Sequence, residues 1–576
     1  MNLRKSWRTI AASVVGVSLL VVASISFAGA QNNTSGNRAA SPATAITSSG
    51  KVTAKYGGIV DLSKLPTLKA GSQNDSRSLQ TRDRMTTDQR AAYRASLASN
   101  PRVASSGQPM ALPKSANAGP SFVGGGTAPL LVRSVDGLTE AQSCGCVPPD
   151  QAIATDLSYV MEGVNNAVAI YRASTGALQF GPYSAQSFFS PVFHAGDFFS
   201  DPQMNFDVMH DRWIVTWLEI DSSQTFDYID IAISTSNSPT QPTPGAQYYI
   251  YQLGTNFEPN GGTPSFCDYD TMGTEVYSLD LTCVNFRGSF VGNTMISLYK
   301  IPALSGGTLA GFFYNDALKI SGGSAPAFRL SPAIEEGVQD AEFFVSTDAG
   351  YGGPSQNLGI CAFTNLRNFD TVAPTVTCQN VNLGANYTDP LAVRQSGGPN
   401  NIDPGLGPKQ VYYKGGRLYI AQTTAIGGVH DGIYWAEVQP QLTTQAAHNP
   451  QWINGAIITQ TGLSFYSDTT DTWMPTIMGT DENDISLVYN YSTTTSFPSI
   501  VVTGRKATDA QGGMGQFVGS YFVAVGTHHS TFGRWGDYSA CAVTLNSVTR
   551  GGIWCAGEYA GADPVWNTRL YNFRTE

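Results

Sequence analysis

From about Ser121 to the C-terminus, apolar and polar residues alternate in short runs, each bounded by Gly, Pro, Asn or Asp. A period of two sends successive side chains to opposite faces, so these runs predict β-strands with one face buried. The last three, YSACAVTL, GIWCAGEY and TRLYNFR, are representative. The region shows no amphipathic helical pattern.

The runs recur as one unit. Copies start at Pro148 (PPDQAIATDLSYV), Ser200 (SDPQMNFDVMHDRWIVTWLEI), Phe266 (FCDYDTMGTEVYSLDLTCVNF) and Ser331 (SPAIEEGVQDAEFFVST). Three more start at Ile402 (IDPGLGPKQVYYKGGRLYIAQTT), Thr472 (TWMPTIMGTDENDISLVYNYS) and Arg534 (RWGDYSACAVTL). The starts lie 52 to 71 residues apart. Each copy opens on Pro, Asp or Trp, then gives a short strand, a polar turn and a longer alternating strand. Two further strands usually follow, such as TFDYIDIAIS and QYYIYQLG in the second copy. Four strands per unit at this spacing predict an all-β fold, a seven-bladed β-propeller over about residues 121–576. A β-helix would repeat faster, and two sandwiches would not share one leading motif. The last copy has only three strands, so the unpartnered run Ala128–Val135 is expected to complete it and close the ring.

Ahead of the repeats, Arg4, Lys5 and Arg8 precede an apolar run, Ile10 to Phe27, and the small residues Ala28-Gly29-Ala30. That is the pattern of a signal peptide over residues 1–30. No later segment approaches eighteen uninterrupted apolar residues, so the mature chain is expected to be secreted, with no membrane partner. Residues 31–120, rich in Ser, Ala, Asn, Gly and Gln, read as a low-complexity, partly disordered segment, with a short helical pattern at Thr87–Ala98. Charged residues make up 13% of the chain, about half the usual share of roughly 25%. The net charge of −10 becomes −13 without the first thirty residues. An acidic body argues against nucleic acid as a partner.

Eight cysteines behind an export signal permit disulfides. Cys267 and Cys283, Cys361 and Cys378, and Cys541 and Cys555 each span two strands joined by a turn, as an intrasheet disulfide requires. Cys144 and Cys146 are too close in sequence for a comfortable bridge, and their state stays open. No CxxC occurs, and no histidine lies at ligand spacing from a cysteine, so neither metal nor cofactor is expected.

The leading motifs PPD, DP…FD…RW, DY and RWGDYS, over about residues 145–574, resemble those of secreted bacterial seven-bladed propeller proteins, broadly sialidase-like or BNR-like in shape. STSNSPT at 234–240 lacks the Asp-x-Gly and Trp of an Asp-box turn. The resemblance implies a shape class and no particular activity.

Propeller geometry would bring the leading segments to one channel mouth, lined by Asp150, Asp201, Asp268, Asp270, Asp403, Trp473, Trp535 and Asp537. Asp150, Asp201, Asp537 and Glu558 are the candidates for acid–base work on a glycosidic bond. Asp270, Asp403, Trp473, Arg534, Trp535, Tyr559 and Arg569 are the candidates for ligand binding. The competing reading makes each Asp a turn cap and each Arg a strand-to-strand bridge. His210 and Arg212 sit in a turn and are expected to be solvated. His528-His529 precede the last copy, and Asp481, Asn483 and Asp484 lack the spacing of a calcium loop. HExxH, GxSxG, GxxxxGK[ST] and CxxCH are all missing. These features predict a monomer that binds glycans or another extracellular polymer at the channel mouth. The alternative is a glycoside hydrolase or polysaccharide lyase using the mouth carboxylates.

Overall fold

The computed structural model describes residues 45–69, 71, 129–222, 226–239, 247–258, 265–287, 289–320, 323–337, 341–350, 354–369, 371–442, 452–464, 469–480, 482–509, 521–531, 533–536, 539–542, 552–561 and 566–574. The signal peptide, the helical pattern at 87–98, Asp481 and Asp537 lie outside the described residues.

Among the described residues alternation becomes strand almost throughout, and helix is confined to single turns such as Ala185–Phe188. Strands β1 (Gly50–Asp61) and β2 (Leu130–Thr139) precede a succession of antiparallel meanders. The first holds β3 (Gln151–Thr155), β4 (Tyr159–Val164), β5 (Ala167–Arg172) and β6 (Leu178–Ser184). The second holds β7 (Phe198–Asp207), β8 (Arg212–Ile220), β9 (Asp227–Ser234) and β10 (Gln247–Gly254). In the third, a broken leading strand, β11 (Phe266–Asp268) and β12 (Met272–Thr274), is followed by β13 (Ser278–Phe286), β14 (Phe290–Tyr299) and β15 (Leu309–Asn315). The fourth holds β16 (Ser331–Glu335), β17 (Ala341–Thr347), β18 (Ser355–Thr364) and β19 (Thr375–Tyr387). The fifth holds β20 (Val411–Lys414), β21 (Arg417–Ile426), β22 (His430–Leu442) and β23 (Trp452–Ser464). The sixth holds β24 (Thr470–Gly479), β25 (Ile485–Thr493), β26 (Ser496–Arg505) and β27 (Tyr521–Ala524). The last holds β28 (Ala540–Ala542), β29 (Ile553–Tyr559) and β30 (Asn567–Arg574), and β2 pairs antiparallel with β30 as its fourth strand.

The leading strands converge. β16 lies parallel to both β12 and β20, with Thr274 opposite Ile334 and Ala333 opposite Val411. β28 packs against β3. Gln151, Gln203, Thr271, Ser331, Gln410 and Ser539, each from a different meander, line one cavity of about 20 Å³. That is room for a single water molecule or so. Strands covered on both faces lose their alternation, and TDTWMPTIMG of β24 is buried from end to end. Between neighbouring meanders lie the apolar layers, such as Met161 with Val215 and Trp217, and Ile231 with Leu281 and Ile296.

Three leading segments turn inward through the same device. Asp201, Tyr269 and Met474 have φ of 52°, 53° and 53°, left-handed values rare for residues with a side chain. At Asp201 and Met474 the pairing register skips, between Ser200 and Gln203 and between Trp473 and Thr476. Such bulges bend a strand and re-aim it.

Two expectations change. Within the segment 31–120, expected to be partly disordered, lies a strand the sequence reading did not single out: β1 pairs with β10 through Lys55–Asp61 and with β15 through Gly50–Ala54. Its alternation, KVTAKYGGIV, was masked by polar surroundings, and its pairing partners lie far along the chain. Cys144 and Cys146 are bridged, their Cα atoms 5.1 Å apart across Gly145, whose φ is 72°. That separation is within the reach of a disulfide. Cys267–Cys283, Cys361–Cys378 and Cys541–Cys555 are disulfides, each within one meander. Among the described residues no helix is long and apolar enough to cross a membrane.

Candidate functional site

The structure gathers several of the predicted residues but leaves little space among them. Asp403 and Arg534 meet as neighbours in a parallel bridge, and the Asp403 amide donates to Gly533 O at 2.9 Å. Trp473 and Trp535 pack edge to face, centroids 6.1 Å apart, in an apolar cluster with Val393, Ile402, Met474 and Ala560. Both indoles are buried, so neither face is free to stack on a sugar.

The reason is the long connection between β19 and β20. Its Arg394 forms a two-pronged pair with Asp471, at 2.8 and 3.0 Å, and Gln395 donates to Ser530 O at 2.8 Å. The amide of Ser396 reaches Ser496 O at 3.1 Å. This segment therefore spans the fifth, sixth and last meanders, and covers what the repeat alone would leave open.

The acids at the leading ends are buried and mutually repelling. Burial, then the charges of Asp201, Asp268 and Asp227, pushes Asp270 well above the usual carboxylate range. Glu558 is raised by burial and by Asp150, which ties the last meander to the first. Asp431 is pushed up to about 8 by burial and by Asp471 and Asp403, against the opposing pull of its bond to the Leu391 amide and of Arg394. Sequence reasoning missed Asp431, Asp471 and Arg394. Their common signal is weak, each being a lone charge within an otherwise polar or apolar run.

Tyr559 and Arg569 belong to the junction of the last meander with β2. They lie on β29 and β30, and Arg569 bonds Ser134 Oγ at 2.6 Å and pairs with Asp136 across the junction with β2. The strand-to-strand reading is the one observed. His210 is not simply solvated, since its Nδ1 lies 2.9 Å from Asp207 Oδ2; Arg212 bonds the carbonyls of His210 and Asp211. His528 faces Gly561 O at 2.8 Å. Asn483 and Asp484 form a turn closed on Thr480.

Open space lies between the fourth and fifth meanders instead. A cleft of about 350 Å³ runs between the end of β19 and the β21–β22 turn, walled by Asn386, Tyr387, Thr388, Thr424, Ile426 and Leu463. Pro354, Ala425, Gly427 and Gly428 complete it, and none of the described residues that line it is charged. Tyr387 is held in place by its hydroxyl, which accepts from the Asp348 amide at 2.8 Å and donates to Asn357 O at 2.5 Å. The Thr424 hydroxyl accepts from the Thr388 amide at 2.8 Å and donates to the Thr388 carbonyl at 3.0 Å, and the Thr388 hydroxyl donates to Ala425 O at 3.1 Å. A rigid apolar wall with hydroxyls, an amide and exposed backbone suits a neutral, hydroxyl-rich ligand.

No protein-family model matches the chain, and no curated protein matches it in sequence. Among solved structures, an ulvan lyase of polysaccharide lyase family 25 aligns at 11% identity, covering 79% of this chain and 96% of its own, with a TM-score of 0.38. An exo-β-1,3-galactanase from Phanerochaete chrysosporium aligns at 11% identity over 61% of this chain and 75% of its own, TM-score 0.27. A sialidase from Trypanosoma rangeli aligns at 10% identity over 71% of this chain and 57% of its own, TM-score 0.31. With TM-scores below 0.5, these likenesses carry none of the argument that follows.

Proposed function

We propose that the chain is a secreted seven-bladed β-propeller, closed by β2, that binds a neutral glycan or a similar extracellular polymer. Seven successive four-stranded meanders and the packing of β28 against β3 support the ring. The four disulfides fit an oxidising compartment, and the N-terminal thirty residues fit export. The chain acts as a monomer, without nucleic acid or membrane partners.

The uncharged cleft at Tyr387 carries the functional reading. Its volume of about 350 Å³ falls within the usual range for ligand sites of roughly 300–1,000 Å³. In this reading the ligand site lies beside the axis, and the axial Asp and Trp residues hold the blades together. Affinity electrophoresis of the mature protein against a polysaccharide panel tests it. Retardation by a neutral polymer, abolished by Leu463→Trp, supports the cleft, whereas retardation untouched by that substitution rejects it.

A second reading, a hydrolase or lyase, rests on Asp431 and Asp471. Burial keeps Asp431 protonated at neutral pH while Arg394 pairs with Asp471, so one acid and one base stand close together. Cleavage of any panel polymer, lost in Asp431→Asn, would favour it.

A further inference from the structure

We propose that His194, Asp197 and Glu219 form a binding site for a first-row divalent metal ion, of the zinc or manganese class, on the second meander. Strand register builds its floor. Glu219 of β8 stands opposite Tyr228 of β9, and Asp230 stands opposite Gln252 of β10, so all four side chains share one face. The loop after β6 folds over that face and stacks the His194 ring on Tyr228, centroids 4.8 Å apart.

The donor atoms converge. His194 Nδ1 lies 3.3 Å from Glu219 Oε1 and 4.0 Å from Asp197 Oδ2, and one donor atom from each residue falls within 4.8 Å of the others. Ligands about 2.0–2.2 Å from a shared zinc ion would be separated by comparable distances. Backbone and side-chain donors fix the carboxylates from outside. The His194 amide reaches Glu219 Oε1 at 2.7 Å, the Ser222 amide reaches Asp197 Oδ1 at 3.1 Å, and Gln252 Nε2 reaches Glu219 Oε2 at 2.9 Å. Such outer contacts orient metal ligands.

A separate observation is a buried carboxyl with an unpartnered oxygen beside the ligands. Asp230 is completely buried behind Glu219; its Oδ1 accepts from Gln252 at 3.0 Å, while Oδ2 has no hydrogen-bond partner among the described residues. The acids around this pocket are Asp197, Glu219, Asp221 and Asp230, and the His194 imidazole faces them. Asp197, Glu219 and the His194 imidazole would supply the ion's donors, with the Asp230 carboxyl packed behind Glu219. The imidazole selects against calcium, which takes oxygen ligands. His194, 46% exposed at its side chain, leaves the ion a way in.

Calorimetric titration of the chelator-treated mature protein with zinc chloride, and separately with manganese chloride, tests the proposal. One equivalent of either ion should bind, raising the melting temperature. His194→Ala and Asp197→Asn should each weaken that equivalent at least tenfold while the metal-free proteins melt within a few degrees of wild type. Absence of binding by both ions, or an equivalent that persists unchanged in His194→Ala, overturns it.

Discussion

The place where the leading strands converge and the cleft at Tyr387 are made from the same repeated strands, yet among the described residues they leave very different amounts of space. Where six leading segments meet they leave about 20 Å³, and the long β19–β20 connection packs Val393 and Ile402 against Trp473 and Trp535. At the cleft, β19 and β23 each run to 13 residues, where the outer strands β6, β10 and β15 have 7, 8 and 7. The overhang forms walls with no third wall to close them. Features shared by every copy serve packing, and the copies that depart from the pattern make a place for something else.

The sharpest way to break this contrast is to remove an axial aromatic. Trp473→Ala should destabilise the fold by about 3–5 kcal/mol, the usual loss for a buried Trp, while the protein that remains folded binds glycan as before. Chemical denaturation and affinity electrophoresis together decide it; a stable variant that no longer binds would return the site to the axis. In the cleft the order reverses. Asn386→Ala should weaken glycan binding about tenfold, or ~1.4 kcal/mol, the scale of one good hydrogen bond, with little change in melting.

A third test concerns the opposite ends of the leading strands. Burial pushes Glu275 up to about 8 and Asp280 up to about 7. Glu335 and Glu342 are held well above their ordinary range by burial and by these neighbours. Neither oxygen of Glu335 has a hydrogen-bond partner among the described residues. Between about pH 4 and pH 8 the folded protein therefore holds more protons than the unfolded chain, so stability falls as pH rises through that window. Glu335→Gln should flatten the decline and raise the melting temperature at about pH 8 by a few degrees; a thermal scan at several pH values measures it. The smallest effect is expected from Arg569→Ala. Its bridge to the exposed Asp136 is worth at most about 1 kcal/mol, and binding should not change.

Much of the architecture was legible because strand alternation and turn residues are local signals. The pairings Cys361–Cys378 and Cys541–Cys555 needed only neighbouring strands. The candidate site was less legible. Asp150, Asp201 and Asp270 could be read as leading-strand residues, but their burial depends on neighbouring meanders, as where Asp201 of the second faces Asp270 of the third. Asp431 and the His194 cluster were invisible for the same reason. Single charged residues acquire meaning only when register sets them face to face.

Strand β1 imposes an order of events on folding. It is synthesised before either strand it joins, and its partners β10 and β15 begin nearly 200 and 260 residues later. Until both have emerged it has no template, and its exposed Tyr56 and Ile59 face water with an unpaired edge. Closing so long a loop is slow. A chain threaded outward from its N-terminus would therefore carry β1 as a loose end and seat it after the second and third meanders had formed, making that strand a natural checkpoint for complete assembly.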